Sequence, residues 1–168
     1  ALQGDFAEHL AVLRDLGVEA REIRLPEELE GLGGLIIPGG ESVTMAKLMD
    51  SYSLREPVQE RARAGMAVWG TCAGLILVAS ELVDDRPKPM GLMGIGVARN
   101  AFGRQVDSFE VDLPVSVLGE QPFHAVFIRA PVVMQIREGV QVLARLPDGR
   151  VVAAREEKIL ATAFHPEL

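Results

Sequence analysis

The stretch MAVWGTCAGLILVASEL, residues 66–82, decides the fold. Residues 66–69 are apolar and predict a short buried strand, and residues 75–82 predict a helix. Between them lies a G-x-C-x-G sequence at residues 70–74. This is the pattern of a nucleophile elbow, a sharp turn from strand to helix that presents a reactive side chain at the carboxyl edge of a sheet. The stretch therefore indicates an α/β fold.

The rest of the first half repeats the alternation of strand and helix. Residues 35–37 (Leu-Ile-Ile) predict a second buried strand, which runs into Pro38-Gly39-Gly40, and residues 18–25 predict another strand. Helices are predicted at residues 5–16, 42–49 and 56–64. Such an alternation is typical of three layers, with a central, mostly parallel sheet covered by helices on both faces.

The second half is predicted to be richer in strands. Strands are predicted at residues 106–113, 125–128, 140–146, 150–154 and 159–164. Pro147-Asp148-Gly149 is a turn sequence, so residues 140–154 are expected to form a hairpin. This half of the sheet is therefore expected to be mixed or antiparallel.

Length and composition bound the class of protein. The chain has 168 residues, and residues 1–168 are expected to form one domain. The net charge is −7 and there is no run of Lys or Arg, which disfavours nucleic acid as a partner. The most apolar stretch, residues 66–79, is too short and too interrupted to predict a membrane span. A single cysteine rules out an internal disulfide and favours a reducing compartment, so a cytoplasmic protein is expected.

Cys72 is the candidate nucleophile. It occupies the centre of the elbow, directly before a predicted helix, and a thiol at a helix N-terminus gains thiolate character from the helix dipole. The alternative is a buried cysteine that acts only as a small apolar side chain. The flanking glycines and the strand-to-helix context favour catalysis.

A cysteine nucleophile needs an imidazole base, and the chain offers three histidines. His9 is expected on the surface of the first helix, and His124 is expected to be structural. His165 ends a predicted strand and is followed two residues later by Glu167, an arrangement that can supply a base and the carboxylate that orients it. An ordinary loop histidine beside a surface carboxylate is the alternative. Because the chain also has Cys72 in the elbow, a catalytic triad of Cys72, His165 and Glu167 is favoured. One cysteine and three scattered histidines predict no metal site.

Three motifs together carry a resemblance to a known family. Residues 35–42 (LIIPGGES), 70–74 (GTCAG) and 164–167 (FHPE) resemble the triad-type class I glutamine amidotransferases, which have a flavodoxin-like three-layer fold. Residues 99–110 (RNAFGRQVDSFE), 127–131 (FIRAP) and 1–5 (ALQGD) are similar to the glutaminase subunits of pyridoxal 5'-phosphate synthase. Members of that family have a strand before the segment that matches residues 1–5 and a helix after the segment that matches residues 164–168. Both are missing from this sequence, and we interpret their absence as truncation.

The resemblance implies a substrate, a site and a partner. L-glutamine would be hydrolysed by Cys72, His165 and Glu167, with no cofactor. The backbone N–H groups of Gly40 and Ala73 are the candidate oxyanion donors. The positions that would contact glutamine are Gly40, Glu41, Ser42, Arg99, Ile128 and Arg129. The implied partner is a (β/α)8-barrel synthase subunit that uses the ammonia to build pyridoxal 5'-phosphate, within a large hetero-oligomer.

Two alternatives differ from this interpretation. The first is the glutaminase subunit of another amidotransferase, such as imidazole glycerol phosphate synthase, and residues 99–110 argue against it. The second is a non-enzymatic redox protein with a cysteine elbow, in which Cys72 would be a sensor thiol. His165 and Glu167 argue against the second alternative.

Overall fold

A computed structural model describes residues 3–99 and 108–168. The helices are α1 (Phe6–Asp15), α2 (Ser42–Ser51), α3 (Arg55–Arg63) and α4 (Ala73–Val78). The strands are β1 (Gly34–Ile37), β2 (Ala67–Thr71), β3 (Ala79–Leu82), β4 (Met93–Ala98), β5 (Ser108–Leu113), β6 (Phe123–Ile128), β7 (Val132–Ile136), β8 (Gln141–Arg145), β9 (Val151–Glu156) and β10 (Ile159–Thr162). Residues 100–107 of the segment that resembles the synthase glutaminases lie outside the described residues, as do Ala1 and Leu2.

The strands form a mixed sheet and a separate ribbon. The order in the sheet is β1-β2-β10-β9-β7-β4-β3, with β8 paired to β9. Strands β1, β2 and β10 run parallel to one another, as do β3 and β4, whereas β10-β9, β9-β8, β9-β7 and β7-β4 are antiparallel. The ribbon pairs β5 with β6. The predicted α/β class, with helices in the first half and a β-rich second half, is confirmed, and the parallel strands β1, β2 and β10 carry the sequence motifs.

The predicted hairpin is confirmed, because β8 and β9 pair as antiparallel neighbours around the turn at residues 147–149. The prediction of one helix over residues 75–82 is partly wrong. Helix α4 ends at Val78, and the following four residues form β3, which pairs in parallel with β4. The ladder with β4 satisfies backbone groups that a longer helix would have satisfied internally.

The predicted strand at residues 18–25 is also wrong, since these residues take no regular structure. The segment lines a cavity of about 780 Å³ that β1 also lines. Strand propensity acts through packing against neighbouring strands, and within the described residues this segment pairs with no strand. Strands β4 and β7 were not predicted from the sequence. Gly94 and Gly96 interrupt the apolar pattern of β4, which weakens its signal.

The core lies between the parallel strands and α4. Every residue of α4 is buried, and Leu75 and Leu77 have no exposed surface. The helix packs on β1, β2 and β10 and against α2. Burying a leucine side chain completely contributes about 1.5–3 kcal/mol, so the helix that follows the elbow is firmly anchored. Among the described residues, none of the helices has the length and apolar character needed to span a bilayer.

Candidate active site

Cys72 occupies a strained turn between β2 and α4. Its backbone has φ 50° and ψ −106°, in the left-handed half of conformational space that side chains with a Cβ avoid. Such a conformation costs about 1–3 kcal/mol and persists only where the surroundings impose it. Here the Cys72 amide donates to the carbonyl of Thr162 on β10 at 2.8 Å, and a Cβ on Gly74 would collide with the backbone of Ile37. The predicted elbow is present, and the adjoining strands hold it.

His165 follows the strand that lies beside the elbow. Strands β2 and β10 are parallel with Thr71 opposite Thr162, so both chains leave the same edge of the sheet. The His165 amide donates to the carbonyl of Val126 on β6 at 2.9 Å, which ties this turn to the β5–β6 ribbon. The sheet register therefore brings the nucleophile and the imidazole together, although 93 positions separate them in the sequence.

The imidazole of His165 lies between Cys72 and Glu167. Its Nδ1 donates to Oε1 of Glu167 at 2.8 Å, and it is hydrogen-bonded to the Cys72 side chain as well. Burial disfavours the charged ring, but the hydrogen bonds with Cys72 and Glu167 outweigh burial and raise the pKa of His165 to about 10. The ring is therefore protonated at neutral pH. The Glu167 side chain is fully buried, so its contact with the ring is shielded from water.

A second carboxylate also faces the imidazole. Oδ2 of Asp5, the residue before α1, lies 3.7 Å from Nδ1 of His165. Asp5, His165 and Glu167 together offer ligand atoms that could reach one metal ion. However, Nδ1 carries the proton that it donates to Glu167, and a ring nitrogen must be deprotonated to bind a metal. The donor set therefore fits a proton-handling site better than a metal site.

A cleft of about 460 Å³ opens above Cys72. All the residues predicted to bind glutamine or an oxyanion line it, together with Cys72 and His165: Gly40, Glu41, Ser42, Ala73, Arg99, Ile128 and Arg129. The Cys72 Sγ lies 3.8 Å from the carbonyl oxygen of Ile128. Arg129 has φ 42°, a second strained residue beside the nucleophile. The structure thus brings the predicted set together, while the role of each residue stays a prediction.

Glu41 caps helix α2. Its carboxylate accepts from the Val43 and Thr44 amides at 3.1 and 2.7 Å and from the Thr44 hydroxyl at 2.7 Å. The hydroxyl and amide of Thr44 and the amide of Val43 hold the pKa of Glu41 below its ordinary value, and Arg99, 3.5 Å away, acts in the same direction. The Glu41 amide donates to Oε1 of Gln3 at 3.0 Å. Glu41 is therefore already engaged within the protein where it lines the cleft.

Sequence reasoning missed Gln3 and Asp5, which also line the cleft. Both belong to residues 1–5, which carry part of the family resemblance. The motif therefore pointed to this segment, but it did not show that Gln3 and Asp5 line the site. The expectation that His9 lies on the surface is wrong, since its ring is buried beside Glu167. His124 lies on the exposed side of the ribbon, bonded to Glu110 and Asp112 and away from the cleft.

Solved structures of known proteins share this fold. A crystal structure of a glutamine amidotransferase superposes with a TM-score of 0.92 at 52% identity, covering 99% of this chain and 87% of that one. A PurLQS structure from Thermotoga maritima shares the fold alone, with a TM-score of 0.71 at 17% identity over 99% of this chain and 84% of that one. The fold and the elbow thus define a class I glutamine amidotransferase.

The family itself follows from sequence. The model of the SNO glutamine amidotransferase family matches residues 1–168, and the chain belongs to that family. The chain is 58% identical to pyridoxal 5'-phosphate synthase subunit PdxT of Herpetosiphon aurantiacus, covering 100% of this chain and 90% of that protein. It is 54% identical to the protein of the same name from Moorella thermoacetica, covering 100% of this chain and 89% of that protein.

Proposed function

We propose that this chain hydrolyses L-glutamine to glutamate and ammonia and supplies the ammonia to a synthase subunit that makes pyridoxal 5'-phosphate. The observation that carries the chemistry is one imidazole held between a strained cysteine and a fully buried carboxylate, at the edge of a cleft. The names of the similar proteins support the destination of the ammonia. They favour this assignment over another amidotransferase and over a redox protein.

In the first half of the reaction, the Cys72 sulfur attacks the carboxamide carbon of glutamine as a thiolate. The new C–S bond converts the carbonyl oxygen into an oxyanion, which needs hydrogen-bond donors. The amides of Gly40 and Ala73 are our candidates. Ala73 is the first residue of α4, where the leading N–H groups of a helix have no partner within it. One such donor typically contributes about 2.7–4 kcal/mol to the transition state.

His165 then transfers protons to the leaving group and from the attacking water. The oxyanion collapses, the C–N bond breaks, and the protonated ring donates a proton to the leaving nitrogen, which departs as ammonia. The neutral ring next removes a proton from water, which attacks the thioester. The C–S bond breaks, glutamate leaves and the Cys72 thiolate returns. Glu167 holds the ring in the required orientation and stabilises its positive charge, because the carboxylate accepts from Nδ1 throughout.

Glutamine also carries an α-carboxylate and an α-ammonium group. Arg99 and Arg129 line the cleft and can offset the charge of the carboxylate. The ionised carboxylate of Glu41 lies on the same wall and can offset the charge of the ammonium group. These assignments rest on the position of the side chains and on the family resemblance.

Ammonia that escapes into water at neutral pH is mostly protonated and no longer nucleophilic. A glutaminase that serves biosynthesis therefore benefits from a closed route to a second active site. We propose that the partner is a (β/α)8-barrel synthase subunit, that the two assemble as a hetero-oligomer, and that residues 1–168 act as one domain. Because Cys72 must remain a free thiol, we place the reaction in the reducing cytoplasm.

The test is glutamate release from L-glutamine by the purified chain, alone and with the barrel subunit. We expect weak activity alone and strong activation by the partner. Cys72→Ala, assayed as a folded protein, is the control that ties turnover to this site. Failure of the wild-type chain to release glutamate even with the partner would refute the proposal.

A further inference from the structure

Behind Glu167 lies a buried histidine that the mechanism does not use. His9 projects from α1, and 7% of its surface is exposed. Its Nε2 lies 3.3 Å from Oε2 of Glu167 and 3.3 Å from the hydroxyl oxygen of Thr71. The ring also meets Trp69 edge to face, with the centroids 6.4 Å apart. His9 therefore touches the carboxylate from the side opposite His165.

The second oxygen of Glu167 needs this neighbour. Oε1 is occupied by His165, whereas Oε2 is buried and accepts no well-formed hydrogen bond from the part of the chain that the structure describes. A buried carboxylate oxygen without a donor is costly, so a group that could donate to it is of interest. The Nε2 of His9 lies 3.3 Å from Oε2, but its hydrogen bond in the structure is with the hydroxyl of Thr71, so donation to Oε2 requires the ring to turn toward the carboxylate.

The surroundings of His9 determine which of its two ring nitrogens carries the proton. Burial lowers the pKa of His9 and the charge of the His165 ring acts in the same direction, whereas the carboxylates of Glu167, Asp5 and Glu8 oppose the shift without cancelling it. His9 is therefore neutral and has one N–H. If that proton were on Nδ1, the lone pair of Nε2 would face the anionic Oε2. Electrostatic repulsion disfavours that tautomer, whereas an N–H at Nε2 can be accepted both by the hydroxyl oxygen of Thr71 and by Oε2, so the proton is placed on Nε2.

We propose that His9 is a positioning residue that donates from Nε2 to the second oxygen of Glu167 and so holds this buried carboxylate with its first oxygen bound to the ring of His165. The inference rests on the proposed glutaminase mechanism. The order of contacts is then Cys72, His165, Glu167, His9. A histidine that merely fills space against Trp69 would need neither a particular tautomer nor a donor.

The first test needs no substitution. In ¹⁵N-labelled wild-type protein, the nitrogen resonances of His9 show which ring nitrogen carries the proton. We expect the proton on Nε2 at pH 7. A proton on Nδ1 would overturn the proposal, whatever the variants do.

The second test separates the donor from the packing. His9→Phe keeps a ring against Trp69 but removes the donor, His9→Leu removes both, and His9→Gln places an amide N–H near the position of Nε2. With the barrel partner present, we expect His9→Phe and His9→Leu to lower kcat about 10-fold and to leave KM nearly unchanged. A loss of about 10-fold is the effect expected when a buried group loses one hydrogen bond. His9→Gln should restore most of that loss. His124→Gln, the same change at an exposed histidine away from the cleft, is the matched control.

The third readout does not depend on turnover. In the free enzyme, a weakened hydrogen bond between Glu167 and the ring of His165 should lower the pKa of His165 by about one unit in His9→Phe but not in His9→Gln, as measured by ring NMR. A folded His9→Phe or His9→Leu with wild-type kcat and an unchanged His165 titration would overturn the proposal. So would a folded His9→Gln as impaired as His9→Phe. If the wild-type chain releases no glutamate, the proposed function fails, while the NMR readouts still judge the role of His9.

Discussion

Gly39 offers a way to move the catalytic imidazole without touching it. This glycine follows β1 and lies against the ring of His165. A methyl group added at Gly39 would lie 3.1 Å from Nδ1 of His165 and 2.9 Å from Oδ2 of Asp5, and closer still to Cε1 of the ring. Carbon atoms pack at about 3.5–4.0 Å, so Gly39→Ala requires the ring to retreat by about 1 Å.

A displacement of this size is small for the fold but large for the chemistry. Misplacing a reacting group by about 1 Å can lower the rate about 10²-fold, because proton transfer depends on the donor–acceptor distance. We therefore expect Gly39→Ala to lower kcat for glutamine hydrolysis about 100-fold. The assay is glutamate release with the barrel subunit, and thermal unfolding checks that the variant is folded.

Gly34, the first residue of the strand that Gly39 follows, provides the matched control. A methyl group there would lie 3.5 Å from the carbonyl oxygen and 3.6 Å from the Cβ of Ala67, which is ordinary contact. Gly34→Ala should leave turnover unchanged. Wild-type turnover in a folded Gly39→Ala variant would refute the reasoning, since the ring of His165 could then not be held against Gly39 in the active enzyme.

The other predictions concern the triad directly. Cys72→Ala should abolish glutamine hydrolysis, while the assembled synthase still makes pyridoxal 5'-phosphate from added ammonia; glutamate release near the wild-type rate would contradict the assignment. Glu167→Gln should lower kcat about 10²–10⁴-fold with little change in KM, and full turnover would reduce the site to a cysteine–histidine pair. In the free enzyme, His165 should stay protonated at neutral pH and lose its proton as pH rises through about 10; an NMR midpoint near the ordinary 6.5 would disprove the coupling.

Local sequence predicted the parts of the site that are themselves local. The elbow around Cys72 is encoded by a strand, two glycines and a helix within 17 residues, and the link between His165 and Glu167 spans two positions. Their meeting follows from the parallel pairing of β2 with β10, which brings two strand ends to one edge. Apolar patterns predicted both strands, but pairing partners are set by tertiary packing.

The errors share a physical cause. His9 sits next to an apolar stripe on α1, and only the approach of Trp69 and Glu167 from distant parts of the chain buries it. Asp5 stands directly before α1, yet its side chain makes no capping bond and lies near His165 instead. Residues 18–25 have strand-like composition but pair with no strand in the part of the chain that the structure describes. In each case contacts remote in sequence outweighed local preference.

The pairing of β2 with β10 also bears on how such an enzyme can diversify. Cys72 and His165 follow two adjacent strands that are paired by backbone hydrogen bonds, so the sheet fixes the distance between these two residues. The connections between these two points can lengthen, shorten or change sequence without altering that spacing. Substitutions in Arg129 and its neighbours can therefore reshape the mouth of the cleft while the bond-breaking pair stays in place. Residues that determine the substrate or the partner subunit can therefore change without changing the residues that carry out the reaction.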